Sequence, residues 1–454
     1  MGKLPVVLTI ASSDNSGGAG VQMDLYAFNM LKVHGCSVVT GITAQNSREF
    51  RLLEVLSDDT IGAQLEATLA DYDVKAVKTG MLAEGRVVGR IADRLKKLIE
   101  TKGAEFHGVV VDVVLGSTVS GKLEDAEALA DAYRTELLPA AFMATPNLPE
   151  AEALLGRSIS SEDGYDIQEA LKELKELGAK SVLLKGGHIT GGDNVTDRLL
   201  DENGEFHEFT YPRQAFGSVH GTGCMLSALI SAHLAMGYTL AYQAAAGAGS
   251  ILHDMLVDTE PLGSGELRYF NTESGGGWQM HRARTAGALR DALKDIEKLL
   301  TPELVPEVGI NFGYAIPAAK STDDICALDT RIVKSKSGVN STGGVAFGVS
   351  SHVARIILAA MSFDLRYRSA VNLRYSKELV EKAKTEGFSV GTFSRAEEPE
   401  GISTMEWGTK KAIADLGFVP DVIFDLGGVG KEPMVRLLGQ TPSDVAGKLR
   451  MFTD

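Results

Sequence analysis

The chain has 454 residues, 44% apolar and 23% charged, a globular balance over more length than one core usually takes, which predicts two or three domains. Its net charge of -15 argues against nucleic acid or an anionic membrane as partner, and leaves room for a small anionic substrate in a locally basic site. Three cysteines, Cys36, Cys224 and Cys326, form no CxxC pair, which fits a reducing cytoplasm and argues against a disulfide framework or a zinc site.

The N-terminal "LPVVLTIA" is too short for a membrane span and has no convincing cleavage site, so it reads as a buried first strand. "AGVQMDLYAFNMLKVHG" follows with apolar residues at helical spacing. "CSVVTGITAQ", "VKAVKTGML", "HGVVVDVVLG" and "KSVLLKGGH" are further strand-like runs, each ending in a loop. Strands alternating with helices predict a doubly wound α/β domain with a mostly parallel sheet. Such sheets bind ligands beyond the carboxyl ends of their strands. Asp14, Gln45, Lys78, Asp112 and Lys185 all fall there.

The turn "HGTGC" runs into an apolar helix. Its first amides lack intrahelical partners, its dipole is positive at that end, and Gly221 and Gly223 let the backbone approach a ligand. With Thr222 between them, this is chemistry for holding a phosphate in transfer. "SSDNSGGAGVQMDL" adds a second Gly-rich turn, including Gly18, and Asp24. Gln45 offers an amide that reads a heterocycle edge as both donor and acceptor. "TPNLPEAEALLG" sets Asn147 and Glu150 three residues apart after a strand, suited to indirect Mg²⁺ ligation, and Lys185 suits nucleotide phosphates.

Taken together, "IASSDNSGGAGVQMDL", "TAQNS", "KTGML", "TPNLPEAE", "LLKGGH" and "HGTGCMLSA" make residues 1–258 resemble the hydroxymethylpyrimidine and phosphomethylpyrimidine kinases of the ribokinase-like superfamily. The resemblance implies a three-layer α/β/α domain, ATP as cosubstrate and a homodimer. It implies that Gly18, Asp24, Gln45 and Met81 contact the pyrimidine. It also implies that Asp112, Asn147 and Glu150 organise Mg²⁺ and phosphates, and that Lys185 and Thr222 serve the nucleotide. Two family prolines are replaced by Asn15 and Val113, and the family's short basic turn becomes "GSTVSG", which blurs the nucleotide side. A kinase for pyridoxal or a related vitamin alcohol is the alternative.

Related sugar kinases carry Asp where this chain has Cys224. The pyrimidine kinase makes two transfers in one site, the second onto a phosphate. A fixed carboxylate about 4 Å from that phosphate would cost roughly 4 kcal/mol at an effective dielectric near 20. A thiol can stay neutral, and the expectation is that the helix N-terminus lowers its pKa when a base is needed.

Residues 259–284, rich in Gly, Ser and Glu and without periodicity, read as a linker. A helix at "AGALRDALKDIEKLL" then opens a second α/β unit with strands expected in "EVGINFGYAI", "RSAVNLRYS", "GFSVGTFSR" and "DVIFDLGG". Arg331, Lys334 and Lys336 form a basic cluster before a Gly-rich loop and a helix starting near Ser350, with His352 and Arg355 in its first turns. "FDLGGVGKEP" adds a second Gly-rich strand end with Lys431.

"LVPEVGINFGYAIPAAKSTDDICALDTRIV", "GGVAFGVSSHVARIILAAM", "AVNLRYS" and "DVIFDLGGVGKEPMVRLLG" make residues 285–454 resemble the archaeal-type thiamine-phosphate synthase domain, often fused behind this kinase. The resemblance implies a three-layer fold of the class II aldolase type and points to Arg331 and His352 as essential. A domain of this kind also occurs as a non-catalytic sensor of thiamine phosphate. That alternative stays open, although no helix-turn-helix candidate is present.

Overall fold

In the computed structural model, the described residues are 4–117, 121–122, 125–160, 163–188, 192–215, 217–272, 277–335, 338–340, 343–399, 404–428 and 430–453. Lys336 and residues 118–120 of the "GSTVSG" turn lie outside them. The chain divides into two compact units, Met1–Gly277 and Trp278–Asp454. No helix among the described residues is long and apolar enough to cross a membrane.

The first unit is built on a nine-stranded sheet. Its strands are β1 (Val6–Ser13), β2 (His34–Gln45), β3 (Phe50–Val55), β4 (Val74–Thr79), β5 (Gly108–Val111), β6 (Met143–Ala144), β7 (Ser181–Leu184), β8 (Asn194–Leu200) and β9 (Phe206–Pro212). They run in the order β9-β8-β7-β6-β5-β4-β1-β2-β3. The central pairs are parallel, and both edges finish in antiparallel pairs. The central strands are β-branched and apolar on both faces, as a sheet covered by helices requires. Their carboxyl ends place Asp14, Met81, Asp112, Asn147 and Lys185 along one rim. The chain reverses direction across the sheet between β1 and β4, the switch point where such sheets form a crevice.

Helix α1 (Gly20–Met30) follows β1. It stops before the expected "KVHG" tail, because that segment turns into β2. Helix α2 is Leu148–Leu155 and helix α3 is Thr222–Ala235. Every residue of α3 from Met225 to Ala235 is buried. That explains a helix apolar all round rather than on one stripe. Packing against β1, β4 and β5 brings its N-terminus to the switch point.

The expected linker is partly ordered structure. Thr259–Glu260 pairs antiparallel with Tyr269–Phe270. Arg268 N–H donates to Ser218 O at 3.0 Å, and His220 N–H donates to Arg268 O at 2.9 Å. Arg48 holds Ser264 O at 2.9 Å. Backbone pairing, invisible to composition, thus ties residues 259–270 to the first unit. The helix opening the second unit begins at Gly277, before the expected position, and ends at Leu299.

The second unit carries a seven-stranded sheet. Its strands are β10 (Phe312–Ala315), β11 (Ile325–Leu328), β12 (Val345–Phe347), β13 (Ser369–Arg374), β14 (Val390–Thr392), β15 (Val422–Asp425) and β16 (Met434–Gly439). Their order is β12-β11-β10-β13-β16-β15-β14. Among the described residues of this sheet, only β14 and β15 pair in parallel. Leu289, Ile296, Leu379 and Leu449 pack on one face with Phe312, Leu373, Val422 and Leu437. Helices α4 (Ser351–Met361) and α5 (Thr404–Leu416) cover the other.

Candidate active sites

Two Gly-rich loops meet in the first unit. Gly221 caps α3 with φ +78°, and a Cβ there would lie 1.9 Å from Gly18 O. At Gly18 a Cβ would lie 2.5 Å from His220 Cδ2. Only glycine permits this approach. His220 Nε2 lies 2.9 Å from Asp14 Oδ2 and bridges the loops. Sequence reasoning passed over His220, although it stands directly before the "GTGC" turn. Asp14 also accepts from Ser16 N and Ala19 N, each at 2.8 Å. Burial alone would raise its carboxyl, but the His220 and Ser16 hydrogen bonds outweigh that and hold it at about 2. A depressed carboxyl contributes stability above its unfolded pKa and loses it as pH falls through the folded one. Asp14 is therefore expected to add about 2 kcal/mol of stability that fades between roughly pH 4 and 2. Acid unfolding of Asp14→Asn should lack that component.

Cys224 occupies the third position of α3 and is half-buried, beside Thr222 and Gly223 at the unpaired amides. Its thiol is pushed up to about 11, first by burial, with Asp24 and Asp112 adding to it and Lys78 opposing. The expected lowering is not found: burial, with Asp24 and Asp112, outweighs the pull of Lys78, and the group rests as a neutral thiol. A Cβ at Gly223 would lie 3.3 Å from Lys185 Nζ and 3.7 Å from Asp112 Oδ2. Lys185 Nζ donates to Asp112 Oδ1 at 2.9 Å and lies 3.6 Å from Glu150 Oε2. Burial would lower Lys185, but these carboxylates hold it above its ordinary range. Asn147 and Glu150 form a capping box at α2, with Glu150 N bonded to Asn147 Oδ1 at 2.9 Å. Burial lifts Glu150 to about 7 against the pull of Lys185. Asp112, Glu150, Lys185, Gly223 and Cys224 therefore form one cluster.

Asp24, expected to contact the pyrimidine, is held from below by its own partners. It is fully buried and accepts from Lys78 Nζ at 2.9 and 2.8 Å and from Thr9 Oγ1 at 2.6 Å. Asp24 neutralises Lys78 beneath the site, where an isolated charge would be costly. The Gln45 Oε1 is buried without a partner, and its backbone N–H donates to Asn15 Oδ1 at 2.8 Å. Met81 is half-buried, its carbonyl fixed by Thr40 Oγ1 at 2.9 Å and Ser12 N at 3.1 Å.

In the second unit, Arg331 is exposed and donates to Val308 O at 2.5 Å. His352 lies in the first turn of α4. Burial holds its imidazole below the usual value, as does the positive charge of Arg331, Arg355, Arg436 and Arg395. The structure thus brings Arg331 and His352 to one electropositive place. Lys431 instead faces Glu398 at 3.4 Å and Thr404 at 3.3 Å. Arg395 and Arg436 were missed. An arginine inside the apolar strand "MVRLLG" was the available signal.

The first unit's sheet, and a Gly-capped helix start beside a carboxylate pair and a lysine, are those of a phosphotransferase of the ribokinase-like fold. An ADP complex of Bacillus subtilis pyridoxal kinase is 30% identical, with a TM-score of 0.53 over 60% of this chain and 98% of its own. The phosphomethylpyrimidine kinase family profile matches residues 14–269, and that of thiamine-phosphate synthase ThiN matches 288–451. A bifunctional thiamine biosynthesis protein ThiDN of Methanocaldococcus jannaschii is 31% identical over 98% of both chains. A hydroxymethylpyrimidine/phosphomethylpyrimidine kinase of Rhizobium meliloti is 38% identical over 58% of this chain and 94% of its own. The chain belongs to the phosphomethylpyrimidine kinase family, joined to a ThiN-type thiamine-phosphate synthase domain, and is a bifunctional enzyme of thiamine biosynthesis.

Proposed function

We propose that the first unit transfers phosphate from ATP twice, first to 4-amino-5-hydroxymethyl-2-methylpyrimidine and then to its monophosphate. The observation that carries this is Cys224 at an open helix N-terminus, in one cluster with Asp112, Lys185 and Gly223. The amides of Thr222 to Cys224 stabilise charge on the phosphate in flight, and Lys185 neutralises the nucleotide phosphates. Gln45 reads the aminopyrimidine edge with its unpartnered Oε1. Mg²⁺ fits the donors: Asp112 and Glu150 supply hard oxygens, and burial with a like charge nearby holds Glu150 near 7, which a cation would relieve. When bound, the ion would neutralise charge on the phosphates, with Asp112, Glu150 and Asn147 organising its surroundings.

The second unit joins the pyrimidine diphosphate to thiazole phosphate, giving thiamine phosphate and pyrophosphate. The aminopyrimidine ring stabilises the cation left when pyrophosphate departs, and the thiazole nitrogen attacks it. Arg331 takes the departing charge with paired hydrogen bonds, and His352 donates to the same group. We place this unit in the class II aldolase type of fold and the chain in a homodimer.

Pyridoxal kinases resemble the first unit in fold, so substrate choice is the discriminating test. The kcat/KM for hydroxymethylpyrimidine is expected to exceed that for pyridoxal, and Gln45→Leu should narrow the gap. A preference for pyridoxal would overturn the reading.

A further inference from the structure

At one place in the second unit two guanidinium groups share a single buried carboxylate. Arg436 has no exposed surface. It sits mid-strand in β16, paired with Asn372 on one side and Ile423 on the other. Its Nη2 donates to Asp425 Oδ2 at 2.7 Å, while Nε and Nη1 are buried without a partner. Its guanidinium lies 5.1 Å from the Phe393 ring centroid. Asp425, also fully buried, is shared: Arg395 donates to its Oδ1 at 2.5 Å through Nε and to its Oδ2 at 3.1 Å through Nη2. One carboxylate therefore serves two guanidinium groups. Packing alone favours an apolar residue at such a strand position, because a buried ion pair is no better for stability than a well-packed hydrocarbon. The positive charge of Arg395 and Arg436 also reaches His352, as does that of Arg331 and Arg355.

We propose that Arg395 and Arg436, bridged by Asp425, form the inner wall of an anion site that takes the diphosphate of the pyrimidine substrate. Arg395 touches the anion, and Arg436 positions Arg395 through Asp425. The assignment of a diphosphate rests on the synthase reading given above. A guanidinium fork matches the oxygens of a diphosphate, and several forks together balance its charge.

The test uses the full chain. Calorimetric titration with inorganic pyrophosphate would be paired with steady-state condensation kinetics on Arg395→Gln, Arg395→Lys and Arg436→Lys, each checked by thermal unfolding. Arg395→Gln is expected to weaken pyrophosphate binding about tenfold or more, the loss of one charge-assisted contact. It should raise KM for the pyrimidine diphosphate more than it lowers kcat, with Arg395→Lys recovering part. Arg436→Lys should raise the same KM while KM for thiazole phosphate holds. Unchanged pyrophosphate affinity and KM in folded Arg395→Gln would overturn the proposal. Arg395-dependent pyrophosphate binding in a wild-type chain that forms no thiamine phosphate would keep the anion site and remove the synthase reading instead.

Discussion

Cys224→Asp is expected to separate the two phosphoryl transfers. Transfer onto the hydroxymethyl group should persist, while transfer onto the phosphomethyl group should fall about a thousandfold. The reason is charge. Burial and the nearby Asp24 and Asp112 push the thiol up to about 11, so wild-type Cys224 presents a neutral group to either acceptor. A carboxylate there meets an uncharged alcohol in the first step and a phosphate in the second. Two unit charges about 4 Å apart cost roughly 4 kcal/mol at an effective dielectric near 20, which is close to a factor of a thousand. Separate single-turnover assays with each acceptor measure this. Equal loss of both steps would show that the position matters for packing or geometry rather than for charge.

Arg331→Ala is expected to abolish most condensation and leave the kinase intact. Two charge-assisted hydrogen bonds to the departing pyrophosphate, at about 1.5–3 kcal/mol each, sum to about 4 kcal/mol, again near a thousandfold. Unimpaired condensation in this variant would contradict the role. His352 adds a pH signature. Its imidazole lies below its ordinary value, through burial and then the surrounding arginines, so it is uncharged at pH 7 and donates through a neutral N–H. The condensation rate is expected to stay level between about pH 7 and 8. A fall across that range would mean that the charged imidazolium is the working form.

The buried parallel strands were legible in the sequence because a sheet covered on both faces is apolar without alternation. β4, β5 and β7 lie within runs chosen on that ground, and β1 and β2 overlap most of theirs. β6 was not legible, since Met143–Ala144 is only two residues long. The antiparallel edge strands β3, β8 and β9 carry polar outward faces that resemble loops. The hairpin at 259–270 is held by backbone pairing with Ser218 and His220, and its composition gave no hint of it. In the site, the loop glycines and strand-end residues declared themselves by type and place. For Asp24 the sequence showed a carboxylate next to a Gly-rich turn, and only the fold shows that it is buried against Lys78 and Thr9. The thiol of Cys224 misled: the helix end was visible in the sequence, but the buried carboxylates around it come from β5 and α1. Arg395 and Arg436 lie 41 residues apart and become a pair only through Asp425.

The most direct test of the account is product analysis by mass spectrometry after mixing the purified chain with hydroxymethylpyrimidine, Mg-ATP and thiazole phosphate. Thiamine phosphate and pyrophosphate, formed by way of the pyrimidine mono- and diphosphate, are the predicted products. Pyrimidine diphosphate accumulating without thiamine phosphate would contradict the synthase role of the second unit, and the absence of any phosphorylated pyrimidine would contradict the kinase role of the first.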